Sequence, residues 1–209
     1  MTTTGRPYAG TDAATRRKDR RDRLVLTGIE LIGTRGYDST TVHGIAAAAG
    51  VGDRYFYEHF DDRMAWFVAV YDAAIERVQR ASVTAYLEAG PSLEEQARAG
   101  LTAFVHTLTD DPRLARIQLV ESVGRGGAIE RRRAEVMQGY AALLETQARS
   151  LLGDRAPADR DLLMGTRALV GATNQLVMDF ANGELDVTRD QLVDHLVRLY
   201  LDVTHPRRG

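Results

Sequence analysis

A chain of 209 residues with 44% hydrophobic and 27% charged residues can bury a sizeable core, which excludes wholesale disorder. It has no cysteine, and with that go disulfides, thiol nucleophiles and cysteine-based metal sites. The net charge of −2 does not by itself point to nucleic acid, but charge is unevenly spread: six of the eight residues Arg16–Arg23 are basic, whereas from Met64 onward 17 basic residues meet 20 acidic ones.

Residues 1–14, with Gly5, Pro7, Gly10 and several threonines, lack periodicity and read as a disordered tail without the apolar stretch of a signal peptide. Beyond them helical spacing recurs and no stretch sustains strand alternation. A first helix is predicted from about Thr15 to Arg35, with Val25, Ile29 and Ile32 in one row, Leu24 and Leu31 in the next, and Gly36 as its stop. Two short helices, about 42–49 and 53–59, flank a turn containing Gly50 and Gly52. A longer one begins at Asp62 and carries Trp66, Phe67, Val70, Ala74 and Val78 inwards until Gly90-Pro91 approaches. Ser92 and Glu95 form a capping box for a helix over about 93–109, and Asp111-Pro112 opens the next, which fades at Gly124–Gly127. Three more helices are expected at about 128–152, 159–182 and 189–204. The sum is an all-α fold of about nine helices: a three-helix N-terminal domain over 15–61 and a larger helical domain over 62–209. No apolar run reaches the roughly 18–20 residues that span a bilayer, so a cytoplasmic location without membrane partners is expected.

The stretch Thr41–Phe60 has the internal logic of a helix-turn-helix. Two helices cross closely only where contact residues are small, which Ala46 and Ala49 supply, and Gly50 allows a left-handed turn. Ile45, Val51, Phe56 and Phe60 are spaced to bury together, leaving Asp53, Arg54, Tyr55, Tyr57 and His59 on or beside the outward face of the second helix. An ordinary helical hairpin is the rival reading; the aromatic and polar cluster behind a basic first helix argues for DNA. The Arg16–Arg23 run divides between backbone contacts and a solvated face paired through Asp19 and Asp22.

Residues from about 20 to 72 resemble the N-terminal domain of TetR-family regulators. The resemblance is carried by Gly36-Tyr37, Thr40-Thr41-Val42, Ile45-Ala46, Ala49-Gly50-Val51, Phe56-Tyr57-Glu58-His59-Phe60 and the Arg63 that follows. It implies that Thr41 caps the first reading helix and contacts phosphate, that His43 faces the DNA, and that Arg54 and Tyr55 approach base edges. Tyr57, His59 and Arg63 would grip phosphates, which fixes register on the duplex without reading sequence. The chain departs from the family pattern at Gly52, Asp53, Met64 and Trp66. Asp53 favours a helix N-terminus but repels phosphate unless it accepts from a cytosine amino group.

No catalytic set, metal-ligand spacing or cofactor motif is legible in the C-terminal two-thirds, where His106, His195 and His205 lie far apart. An all-helical enzyme is therefore the distant alternative. Leu169, Thr173, Leu176, Val177 and Phe180 form one apolar face, and Leu192, Leu196, Leu199 and Val203 another, with small Gly165, Gly171 and Ala172 for close approach. A core helix pair explains these faces, and so does the homodimer through the last two helices that the resemblance implies. The resemblance also implies a small-molecule effector bound between the middle helices. Candidate polar or adaptable residues for it are Gln118, Glu121, Met137, Tyr140, Asn174, Gln175 and Met178, with protein hydrogen bonds or exposure as the rival explanations. Together these features predict a repressor that leaves its double-stranded DNA operator on binding a ligand. A regulator without a small-molecule inducer is the nearer alternative.

Overall fold

A computed structural model describes residues 8–204, and their side chains from Ala13 onward. The described residues are all-helical, in the order α1 (Tyr8–Arg35), α2 (Val42–Ala48), α3 (Asp53–Tyr57), α4 (Arg63–Glu88), α5 (Leu93–Asp110), α6 (Pro112–Ala115), α7 (Gly127–Leu152), α8 (Asp159–Ala181) and α9 (Arg189–Thr204). Helix α6 widens into a π turn over Arg116–Glu121. Helix α1 begins at Tyr8 rather than near Thr15, so the expected tail to residue 14 is corrected: only its first seven residues lie outside the described ones. Alanines at 9, 13 and 14 favour continuing the helix, and the single Gly10 weakens it without ending it.

The boundaries follow local chemistry. Thr41, Asp62 and Ser92 cap α2, α4 and α5 by accepting from the backbone N–H groups of Gly44, Ala65 and Glu95. The Ser92–Glu95 capping box is complete, and Pro112 opens α6. Helix α3 is shorter than its sequence pattern suggested, because Glu58 and His59 close a tight turn onto Arg54 and Phe56 carbonyls.

Leu24, Val25, Ile29 and Ile32 of α1 bury against Ile45, Phe56 and Phe60 and against Trp66, Phe67 and Val70 of α4. The Trp66 indole N–H donates to the Leu24 carbonyl at 2.9 Å. A Cβ on Gly28 would lie 2.2 Å from Val70 and 2.7 Å from Trp66, so only glycine lets α1 and α4 approach this closely. The same apolar core runs on through Val105, Leu108, Leu114 and Ile117 to Leu192 and Leu196. Leu169 and Tyr200 pack with Leu93 and Ala97 in a smaller cluster. No described helix is long and apolar enough to cross a membrane.

Candidate DNA-reading face and effector cavity

The turn between α2 and α3 forms as its residues require. Ala46 and Ala49 are buried at the crossing, Gly50 adopts φ 65°, and the Val51 N–H returns to the Ala46 carbonyl. With Ile45 and Phe56 wholly buried and Val51 half-buried over them, α3 can turn only its opposite side outwards. That side carries Asp53, Arg54 and Tyr57, with Thr41 and His43 exposed on α2. Tyr57 is 60% exposed, touching the buried Phe56 ring edge-on while most of its surface faces solvent.

Other residues expected at the DNA do more than one thing. Tyr55 is half-buried between two guanidinium groups, Arg20 at 4.7 Å and Arg54 at 5.0 Å from its ring centre. Arg54 also pairs with Glu58 at 3.4 Å. The Asp53 carboxylate meets His43 Nδ1 at 3.2 Å, which ties α2 to α3 and gives this acid a partner inside the protein. Arg63 is half-buried over the Tyr37 ring and donates to the Thr40 carbonyl, directly before the Thr41 cap.

The basic run of α1 packs onto α3 rather than standing apart. Arg17 donates to the Glu58 carbonyl at 3.2 Å, Arg20 covers Tyr55, and Arg21 lies over Phe60. His59 sits beneath these arginines with Nε2 buried and unpartnered. Burial, then the charges of Arg17, Arg20 and Arg21, hold its imidazole below the ordinary value, against an opposing pull from Glu58. Hydroxyl, imidazole and guanidinium donors thus converge around one short outward helix, a pattern suited to anionic phosphate and base edges.

The larger domain holds a half-open cavity of about 120 Å³ between α4, α5, α7, α8 and α9. Its wall is mostly apolar, with Leu101, Phe104, Leu143, Leu144, Leu169 and Val170, and no lining residue is charged. Tyr140 and Asn174 of the sequence candidates lie on this wall, whereas Gln118, Glu121, Met137, Gln175 and Met178 do not. The Gln118 side chain donates to the Ala74 carbonyl at 3.0 Å, and Gln175 is exposed and donates to Asp179. Sequence reading missed Gln79, Ser82 and Tyr86 on α4, Gln96 on α5 and Tyr200 on α9. The available signal was the uncharged polar row 79, 82, 86 at helical spacing, which the charged residues around it on the same helix obscure.

Glu121 belongs to a different structure, a charged junction between the two helical groups. Its buried carboxylate accepts from the Tyr37 N–H at 3.1 Å, from Arg116 at 3.3 Å and from Arg125 at 2.7 Å. Arg125 also reaches Asp38 at 2.8 Å, Arg116 donates to the Thr34 carbonyl at 2.8 Å, and Arg113 bridges Glu30 to Asp111. Widening at the π turn brings these side chains onto the end of α1.

Fold and site together define a helix-turn-helix DNA-binding domain on a helical regulator scaffold. Residues 24–70, which hold the helix-turn-helix, match the family described as bacterial regulatory proteins, tetR family. No curated protein matches the chain by sequence. The whole fold is similar to the fatty acid degradation regulator FadR from Bacillus halodurans, with TM-score 0.72 and 20% identity over 87% of this chain and 94% of the other. It is also similar to FadR from Bacillus subtilis in complex with stearoyl-CoA, with TM-score 0.73 and 17% identity over 88% and 99%. A tetR-family transcriptional regulator from Streptomyces coelicolor aligns with TM-score 0.70 and 15% identity over 89% and 80%. At these identities the likeness is one of fold, that of a TetR-family transcriptional regulator.

Proposed function

We propose that this chain is a homodimeric transcriptional repressor that leaves its operator when a small molecule enters the cavity of the larger domain. The observation that carries the reading is the outward face of α3, where Arg54 and Tyr57 stand exposed beside Thr41 and His43 of α2. In this reading Arg54 and Tyr55 read bases. Thr41, His43, Tyr57, His59 and Arg63 position the backbone, and the His43–Asp53 pair orients α2 against α3.

Dimerisation supplies the second reading head. Leu192 and Leu196 are committed to the core of the chain itself, and Gly165 is closed by Val203 of α9. The surface left for a partner is the outer row of α8, where Met164, Ala168 and Gly171 follow at helical spacing and Met164 is 54% exposed. A Cβ on Gly171 would meet nothing within 4 Å, which leaves room for another backbone to approach.

The test is selection of bound duplexes from random sequence with the purified protein, followed by footprinting of the winner. A palindromic site protected by two subunits, and released by a stabilising metabolite, is the expected result. Recovery of no preferred sequence defeats the reading.

A further inference from the structure

Three buried polar atoms of the cavity residues have no hydrogen-bond partner: Gln96 Oε1, Tyr140 OH and Tyr200 OH. Unpaired buried polar groups are uncommon, and three around one cavity form a pattern that asks for complementary groups. Their placement gives that pattern a direction. Tyr140 stands edge-on to Phe104, with ring centres 6.4 Å apart, whereas Tyr200 packs with Ala97, the neighbour of Gln96. Ala97 and Phe104 lie seven residues apart on α5, which at about 1.5 Å per residue separates the two ends by roughly 10 Å. Between them the wall is aliphatic and aromatic, with Leu101, Leu144, Leu169 and Val170.

We propose that this cavity takes an uncharged, slender or flat, mostly apolar molecule that carries a hydrogen-bonding oxygen towards each end. One oxygen meets Tyr140, the other meets Gln96 and Tyr200, and a ring or short unsaturated chain fills the apolar middle. The inference deepens the ligand-controlled reading and rests on it for its regulatory meaning.

Three observations set the ligand's class. No lysine, arginine or histidine lines the wall, so a carboxylate or phosphate inside would go unpaired, at high cost in an apolar setting. Burial raises the pKa of both Tyr140 and Tyr200, which marks surroundings hostile to charge. The volume of about 120 Å³ is of the size that admits a single ring with a short substituent, since an apolar cavity of about 150 Å³ binds benzene. The wall thus lacks the cations that would meet the phosphates of an acyl-CoA.

The test is calorimetric titration of the full-length protein with three molecules of one shape: para-hydroxycinnamyl alcohol, its carboxylate counterpart para-hydroxycinnamate, and propenylbenzene, which has neither oxygen. Stearoyl-CoA forms a fourth arm. The alcohol is expected to bind about ten-fold or more tighter than either analogue, the effect of one well-made buried hydrogen bond or one uncompensated charge. Tyr140→Phe, Tyr200→Phe and Gln96→Met keep the packing and remove one polar partner each. Each should weaken the alcohol several-fold and leave propenylbenzene unchanged. The proposal is overturned if the carboxylate or stearoyl-CoA binds best, if propenylbenzene matches the alcohol, if all three variants bind the alcohol like the parent, or if no probe binds. The two readings fail separately. Binding of the alcohol without loss of operator affinity defeats ligand control and leaves the cavity chemistry standing; operator release by stearoyl-CoA does the reverse.

Discussion

Arg54 and Tyr57 are the side chains whose roles separate most cleanly. Both are exposed on α3, but Arg54 has a planar fork of donors that matches a guanine edge, whereas a single tyrosine hydroxyl suits a phosphate oxygen. Arg54→Ala should cost about 1–3 kcal/mol on the preferred site and relax sequence preference there. Tyr57→Ala should weaken preferred and random duplexes by the same factor. Fluorescence anisotropy with both duplexes at one fixed salt concentration distinguishes them; equal loss on both for Arg54→Ala would move the reading face elsewhere. His59 adds a pH dependence. Its folded-state pKa lies below the ordinary 6.5, chiefly through burial and then through Arg17, Arg20 and Arg21. The unfolded chain therefore takes up the proton first, so this contribution to stability is intact above the unfolded value and is lost as pH falls through it towards the folded value. Urea midpoints measured from about pH 7.5 downwards should fall, and His59→Asn should flatten the decline. A variant with the parental slope would place the titration on another group.

At the scale of helices, α1 is tied to both its neighbours by glycine. Gly36, which ends α1, has φ 83° and ψ 157°, a region almost closed to other residues, and a Cβ there would stand 2.8 Å from the Glu121 carboxylate. Gly36→Ala should destabilise the fold by about 1–3 kcal/mol, read as a lower urea midpoint at unchanged slope. An unchanged midpoint would mean that the α1 stop relaxes freely. The same junction marks the limit of what the sequence discloses. Helix ends were legible because caps and breakers act locally, as Thr41, Ser92, Glu95 and Pro112 do. The buried side of the helix-turn-helix was legible because Ile45, Ala46, Ala49 and Phe56 must fall in register. In the sequence Glu121 reads as a polar candidate for the effector site. Arg116 and Arg125 stand five and four residues from it, but that its carboxylate also meets the Tyr37 N–H depends on a π turn and on a contact across more than eighty residues, neither of which leaves a periodic trace. Asp53 is the milder case: its partner His43 lies ten residues away across the turn, and only the crossing of α2 and α3 brings them together.

For the molecule as a whole, assembly and coupling are the testable properties. The outer row of α8 is a partner surface in the proposed dimer, so Ala168→Glu, which places a charge beside Met164 and Gly171, should shift sedimentation from dimer to monomer and abolish protection of the second half-site. A variant that stays dimeric puts the contact on another face. Coupling follows from the length of α4. Its 26 residues extend about 39 Å. Gln79, Ser82, Val83 and Tyr86 near its end line the cavity, while Arg63 at its start holds the Thr40 carbonyl next to the cap of α2. A ligand that prefers one position of α4 must therefore favour one position of the reading head, and the two binding events must change each other's affinity by the same factor. Glu121 with its two arginines fixes the other side of the same domain. In the parent protein the ratio of operator Kd with and without a releasing ligand should fall in the usual range of about 5–150-fold. Arg63→Ala and Glu121→Gln should each leave ligand affinity for the free protein near the parental value and draw that ratio towards one. Because the ratio compares one variant with itself, a general loss of DNA affinity in Arg63→Ala does not affect it. Should both variants keep the parental ratio, neither junction carries the signal, and the movement that releases the DNA has to run through the dimer contact of α8 instead.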